Sequence, residues 1–246
     1  MHINFVTEPK NQTWILRRWC EEYQKRIPNS TISAFVPNYS ADVNVFVNYA
    51  LYTPAKNSIC VFTHRERDER KSDFDRISKE CDWCFAQSYN TLDLLPIEKS
   101  SILKIGVGEH FHRDKPLRVG VAGREYETGR KRYEWIKDLN IYGIEIVWSN
   151  GNVEYEKMAE FYDSIDLLLI TSDEREGGPM CVIEALARGK MVMSTNTGWA
   201  WEYPVIRYDT FEQLKANLER LVIPRDLWDT GAKQIVEKSE ELLGLR

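Results

Sequence analysis

Two acidic residues, Glu176 and Glu184, bracket the segment Glu176-Gly177-Gly178-Pro179-Met180-Cys181-Val182-Ile183-Glu184. Upstream, the apolar run SIDLLLI ends at Thr171 and reads as a buried parallel strand. The loop TSDEREGG follows, and then a helix opening at Pro179, whose missing N–H costs nothing at the first helical position. Gly177 and Gly178 let a ligand approach the main chain closely, and the first turn leaves the N–H groups of Gly178, Met180 and Cys181 open. Such a helix end attracts anions, phosphate above all. Glu176 sits at that mouth. Glu184 falls about one and a half turns into the helix, where a carboxylate can accept hydrogen bonds from hydroxyl groups. A diphosphate flanked by sugars fits this combination better than a bare phosphate.

A second constellation, Gly123-Arg124-Glu125-Tyr126-Glu127-Thr128-Gly129-Arg130-Lys131, lies on the loop leaving the strand LRVGVAG. A guanidinium is a fork that matches phosphate oxygens, and an ammonium is a mobile point charge. Cations at the start of a helix are mildly unfavourable unless an anion is bound there, which favours a binding role. Cys81-Asp82-Trp83-Cys84 is formally a C-x-x-C, but it leads into a strand and has no second ligand pair, so metal and redox chemistry are the minor reading. His110 and His112 fall on opposite sides of an extended chain and do not favour one metal site.

The elements that must position these groups alternate. In the first half INFV, TISAFV, VNVFVNY, SICVFT, WCFAQS and SILKIGVG read as strands. A helix is expected from about Gln12 to Arg26, with Ile15, Trp19, Tyr23 and Ile27 on its apolar face, and a second near Asn90–Leu95. The second half restarts with LRVGVAG (strand), Arg130–Leu139 (helix), IEIVW (strand), Tyr155–Asp163 (helix), DLLLI (strand), the EGGP helix and KMVMST (strand). FEQLKANLERLV and Trp228–Leu243 read as closing helices. Strands interleaved with helices predict parallel, doubly wound sheets. All 13 glycines lie at Gly106 or later, so an anionic ligand is expected mainly on the second half. The expected division is 1–112 as an acceptor-side domain, 113–225 as a donor-binding domain, and 226–246 as a helix packing back on the first.

Composition narrows the classes further. With 246 residues, 43% hydrophobic and 29% charged, the chain can bury a sizeable core. A net charge of −5 argues against bulk nucleic-acid binding. No apolar run reaches the roughly 18 residues of a membrane span. Glu8 interrupts the place a secretory signal needs, and five scattered cysteines suit a reducing compartment, so a cytoplasmic location is expected. The basic first helix is read as core-packing, with peripheral membrane contact the minor alternative.

The E-x7-E pattern of Glu176 and Glu184, running on into EALARG, resembles the donor-site signature of the retaining GT-B glycosyltransferases. DWCFAQSYNTLDLL, SILKIGVGEHF and MAEFYDSIDLLLITS resemble segments of that family in the same order. The resemblance implies two Rossmann-like domains facing across a cleft. It also implies transfer of a hexosyl or pentosyl group from a nucleotide-sugar donor with retention of configuration, without metal or other cofactor. Arg124 and Lys131 match the family's diphosphate-gripping cations, with Arg130 competing for the lysine's role. Gly123 lies at the turn beside them. Glu184 matches the residue that holds ribose hydroxyls, and Glu176 the one near the transferred sugar. Gly177, Gly178, Pro179, Met180 and Cys181 line the phosphate mouth. His64, ending SICVFT, matches a histidine that contacts the sugar or polarises the acceptor side. Only IEIVW lies between the Arg124 loop and DLLLI, where the family has two strands, so Trp148 or the Ser149–Asn152 turn is expected to contact the base. The acceptor stays open: a glycan, lipid-linked sugar, metabolite, protein side chain, or a modified base in phage-like DNA. The alternatives to an enzyme are a nucleotide-sugar-binding protein without turnover and an unrelated nucleotide-binding α/β protein; the latter lacks G-x-G-x-x-G and G-x-x-x-x-G-K-[ST].

Overall fold

The computed structural model describes residues 1–9, 15–65 and 69–246. The start of the expected first helix at Gln12 lies outside those residues, as do Glu66, Arg67 and Asp68. The chain forms two compact units, Met1–Phe111 with Pro224–Arg246, and His112–Ile223. Each carries one parallel sheet between helices, an α/β architecture of the doubly wound kind read from the alternation of elements.

In the first unit the strands are β1 (Ile3–Thr7), β2 (Ser30–Ala34), β3 (Val43–Phe46), β4 (Ser58–Phe62), β5 (Trp83–Ala86) and β6 (Ser100–Ile102), in the spatial order β2-β1-β3-β4-β5-β6. The strands β1, β3 and β4 are buried at every residue, as expected of parallel strands covered on both faces. Three helices connect them: α1 (Ile15–Arg26), α2 (Glu69–Glu80) and α3 (Tyr89–Leu92). The apolar face of α1 is rotated from the expected one. Leu16, Cys20 and Tyr23 are buried, with Ile27 just beyond, while Ile15 is 55% exposed and Trp19 lies at the margin. Both stripes have helical spacing; the one that carries Cys20 meets the sheet.

The second unit holds β7 (Leu117–Val121), α4 (Tyr133–Lys137), β8 (Ile144–Trp148), α5 (Met158–Asp163), β9 (Leu167–Ile170), α6 (Met180–Ala187), β10 (Met191–Ser194), β11 (Ile206–Arg207) and α7 (Phe211–Leu221). Its strand order is β11-β10-β9-β7-β8, all parallel. From β7 the chain winds first to β8 on one side and then to β9 on the other. The sheet therefore has its switch point between β7 and β9, and ligands of open parallel sheets sit outside the carboxyl ends at such a point. Only β8 lies between β7 and β9 in sequence, and β11 escaped the sequence reading. The helix expected over Arg130–Leu139 is confined to Tyr133–Lys137, because Arg132 adopts a left-handed conformation (φ 47°) that no helix interior accommodates.

The last helix, α8 (Leu227–Leu242), belongs to the first unit. Its Trp228 packs edge-on to Tyr23 at 5.1 Å, and Ala232 and Ile235 join the core of β1, β3 and β4. Gly231 lets α8 approach the Lys104 carbonyl so closely that a Cβ would lie 2.0 Å from it. Among the described residues no helix is long and apolar enough to cross a membrane.

Candidate donor site in the second unit

Four loops leave the carboxyl edge of the second sheet: Gly123–Lys131 after β7, Ser149–Gly151 after β8, Asp173–Gly178 after β9 and Thr195–Gly198 after β10. Hydrogen bonds between these loops, rather than regular structure, set the geometry. The Asp173 N–H donates to the Arg130 carbonyl at 2.8 Å, and the Thr171 hydroxyl donates to the Lys131 carbonyl. These two bonds draw the β7 loop onto the end of β9. Thr197, only 1% exposed, donates its hydroxyl to the carbonyls of Asp173 (2.9 Å) and Glu176 (3.4 Å), and Thr195 donates to the Ser172 carbonyl at 2.5 Å. The β9 loop is thereby clamped to the β10 loop.

The clamp brings Arg130, Lys131 and Glu176 together. Lys131 Nζ lies 3.0 Å and Arg130 Nε 3.2 Å from the same carboxylate oxygen, Glu176 Oε2. Arg130 is further fixed by Tyr126, whose ring centre lies 3.8 Å from the guanidinium carbon. Burial alone would raise the Glu176 carboxyl, but the Lys131 ammonium and the Arg130 guanidinium hold it below the usual carboxylate range. No hydrogen bond from a described residue reaches Glu176 Oε1. Arg124 is exposed, has no ion pair among the described residues, and lies across Gly151, where a Cβ would meet its Cγ at 2.0 Å.

Gly178 and Gly198 are dictated by close approach. A Cβ on Gly178 would lie 2.0 Å from Trp199 Nε1, and one on Gly198 (φ +48°) 2.7 Å from the Gly177 backbone. Gly177 itself faces open space. Pro179 takes an extended conformation (ψ 103°) just outside α6, so the helix opens at Met180 rather than at the proline. Met180 is 60% exposed at that helix start, whose first N–H groups lack intrahelical partners. Burial pushes the Cys181 thiol up to about 12, so it is a neutral packing group.

Glu184, half-buried about one turn into α6, has a partner that the sequence did not announce. Tyr162, 1% exposed on α5, donates its hydroxyl to Glu184 Oε2 at 2.5 Å. Burial first, and then that bond, raise the Tyr162 phenol well above its ordinary value, so it remains a donor. On the β8 side, the buried Ser149 hydroxyl accepts from the Gly123 N–H at 3.0 Å and fixes the φ +102° turn after β7. Trp148 packs edge-on to Tyr133 at 5.0 Å and lines the core.

The site residues are thus not all brought together. Arg130, Lys131 and Glu176 form one contact cluster, Glu184 a second with Tyr162, and Gly123 and Ser149 a third. His64 belongs to the first unit, after β4; it is exposed, with Nδ1 2.6 Å from the Thr63 hydroxyl and its ring edge-on to Tyr49. Cys81 and Cys84 are buried there with Cys60, the Cys81 and Cys84 sulfurs 3.5 Å apart.

The switch-point loops of this parallel sheet thus gather two cations, a carboxylate and a helix start at its carboxyl edge. Residues 109–205, which carry these loops, match the sequence family described as Glycosyl transferases group 1. A lipopolysaccharide 1,2-N-acetylglucosaminetransferase of Salmonella typhimurium is 26% identical over 148 residues, 59% of this chain and 36% of that protein. The match therefore spans about a third of the relative's length. Among solved structures, Anabaena HepE in complex with UDP-glucose is similar at 10% identity and a TM-score of 0.36, covering 100% of this chain and 99% of that one. A glycosyltransferase from Rickettsia africae is similar at 13% identity and a TM-score of 0.38, covering 98% of each chain.

Proposed function

We propose that this chain is a glycosyltransferase that moves a hexosyl or pentosyl group from a nucleotide-diphosphate donor to an acceptor hydroxyl, with retention and without a metal. The observation that carries this is the convergence of Arg130 and Lys131 on Glu176 beside the start of α6, within the segment that matches the transferase family. In this reading Arg130 and Lys131, with the exposed Arg124, stabilise the charge that grows on the leaving diphosphate as the sugar–oxygen bond breaks. The open N–H groups of α6 add to that stabilisation. Glu184, oriented by Tyr162, accepts the ribose hydroxyls, and Glu176 Oε1 accepts hydroxyls of the transferred sugar. The acceptor attacks the same face that the diphosphate leaves, and the leaving phosphate takes the acceptor's proton. No second carboxylate acts as a nucleophile, unlike the paired carboxylates of retaining glycosidases.

A binding protein without turnover is the second reading, favoured by the single strand β8 between β7 and β9. Incubation with UDP-, GDP-, ADP-, CDP- and TDP-sugars, with and without EDTA, separates the two. Slow donor hydrolysis or transfer that survives EDTA and is lost in Lys131→Ala supports the enzyme. Anomer analysis of the released sugar reads the stereochemistry. Tight binding with no turnover under any acceptor supports the second reading.

A further inference from the structure

We propose that Glu176 determines specificity in the donor site by acting as an internal counter-ion, an inference that rests on the transferase reading above. Its carboxylate holds Arg130 and Lys131 against a bare nucleoside diphosphate and yields them to a diphosphate that carries a sugar.

The contact is built in rather than incidental. The Glu176 backbone is tied to the loop by its N–H, which donates to the Asp173 carbonyl at 3.2 Å, and by the longer, 3.4 Å arm of the Thr197 hydroxyl's shared bond. Thr171 holds the Lys131 carbonyl, and the Lys131 side chain is 13% exposed. Arg130 is held by the Asp173 N–H on one side and by the Tyr126 ring on the other. Three half-buried or better-buried charged groups therefore meet at one carboxylate oxygen. One carboxylate already neutralises one of the two positive charges there.

Consider what each ligand brings to this cluster. A bare nucleoside diphosphate carries its terminal phosphate, with one more negative charge than the sugar-linked form, and no sugar hydroxyls. It competes with Glu176 for the two cations and is repelled by the carboxylate at close range. A sugar-linked diphosphate carries less charge. Its sugar hydroxyls can donate to Oε1, the oxygen that no described residue occupies, while Oε2 shares its cations with phosphate oxygens. Lysine has three donors and arginine five, so sharing is stereochemically open. The carboxylate thus favours donor over spent nucleotide and hastens product release.

Glu176→Gln keeps the shape and removes the charge. The test is isothermal titration of wild type and Glu176→Gln with inorganic pyrophosphate, and with UDP and UDP-glucose, GDP and GDP-mannose, ADP and ADP-glucose. Circular dichroism verifies folding, and Glu176→Ala is carried alongside as a second charge-removing variant. The expected result is tighter binding of pyrophosphate and of the recognised nucleoside diphosphate by about tenfold in both variants, with sugar-nucleotide binding unchanged or weaker. Equal or weaker pyrophosphate and nucleoside diphosphate binding in both variants overturns the counter-ion role. Failure of every nucleotide to bind to any form overturns the transferase reading instead, and the pyrophosphate arm still decides whether Glu176 competes with anions.

Discussion

Removing the Tyr162 hydroxyl separates the positioning of Glu184 from its mere presence. The phenol is buried, its bond to Glu184 Oε2 is 2.5 Å long, and burial keeps it protonated. A hydrogen bond to a charged group is worth about 1.5–3 kcal/mol. Glu184 is half-buried, so water replaces part of what Tyr162→Phe removes, and about 1 kcal/mol of stability should be lost. For a chain of this size that is a fall of about 2–4 °C in Tm. Freed from its donor, the carboxylate must be reordered when the ribose binds, which should raise the donor Kd about five- to tenfold, or 1–1.4 kcal/mol. Calorimetric titration of wild type, Tyr162→Phe, Glu184→Ala and the double variant completes a cycle. On this account Tyr162→Phe adds nothing once Glu184 is gone. A lowered Tm with an unchanged Kd, or full additivity in the double variant, would refute the positioning argument and leave Tyr162 as a packing residue.

Three further outcomes are expected. Gly198→Ala places a Cβ 2.7 Å from the Gly177 backbone at φ +48°, where no flexible side chain can yield, so about 2–4 kcal/mol of stability and all donor binding should go; a Tm within 2 °C of wild type contradicts the loop packing. Because the Glu176 carboxyl is held low in the folded state, its contribution is present above the unfolded value of about 4.3 and is lost as pH falls through the folded value. Urea unfolding at pH 6 and pH 3 should therefore show the gap between wild type and Glu176→Gln narrowing in acid, and a constant gap is the contrary result. Cys20 is fully buried and burial holds its thiol up to about 12, so native alkylation with iodoacetamide at pH 8 should leave it unmodified by mass, whereas rapid labelling would place its sulfur in solvent.

The parts of this molecule that were legible in its sequence are those with local causes. The apolar runs INFV, SICVF and DLLLI mark strands, and the sheets bury each of them. The contact of Arg130 and Lys131 with Glu176 was not legible. It joins Arg130 to Glu176 across 46 positions of chain and depends on bonds from Thr171, Asp173 and Thr197, ordinary loop residues. Tyr162 carries no signal within MAEFYDSI, since nothing local shows where a phenol hydroxyl points. The rotated face of α1 has a similar reason: two stripes share the same spacing, and only the sheet chooses between them. Pro179 stands just before the helix rather than at its first position, because a proline suits the extended residue ahead of a helix as well as the first residue within it.

The most direct test of a donor site in the second unit is a thermal-shift series against UDP-, GDP-, ADP-, CDP- and TDP-sugars on wild type and Glu184→Ala. A donor at about 100 times its Kd stabilises the native state by roughly 2.7 kcal/mol, which is readily seen. The account predicts a shift with one nucleotide class that disappears in Glu184→Ala. No shift with any class, or a shift of equal size in both proteins, would contradict it.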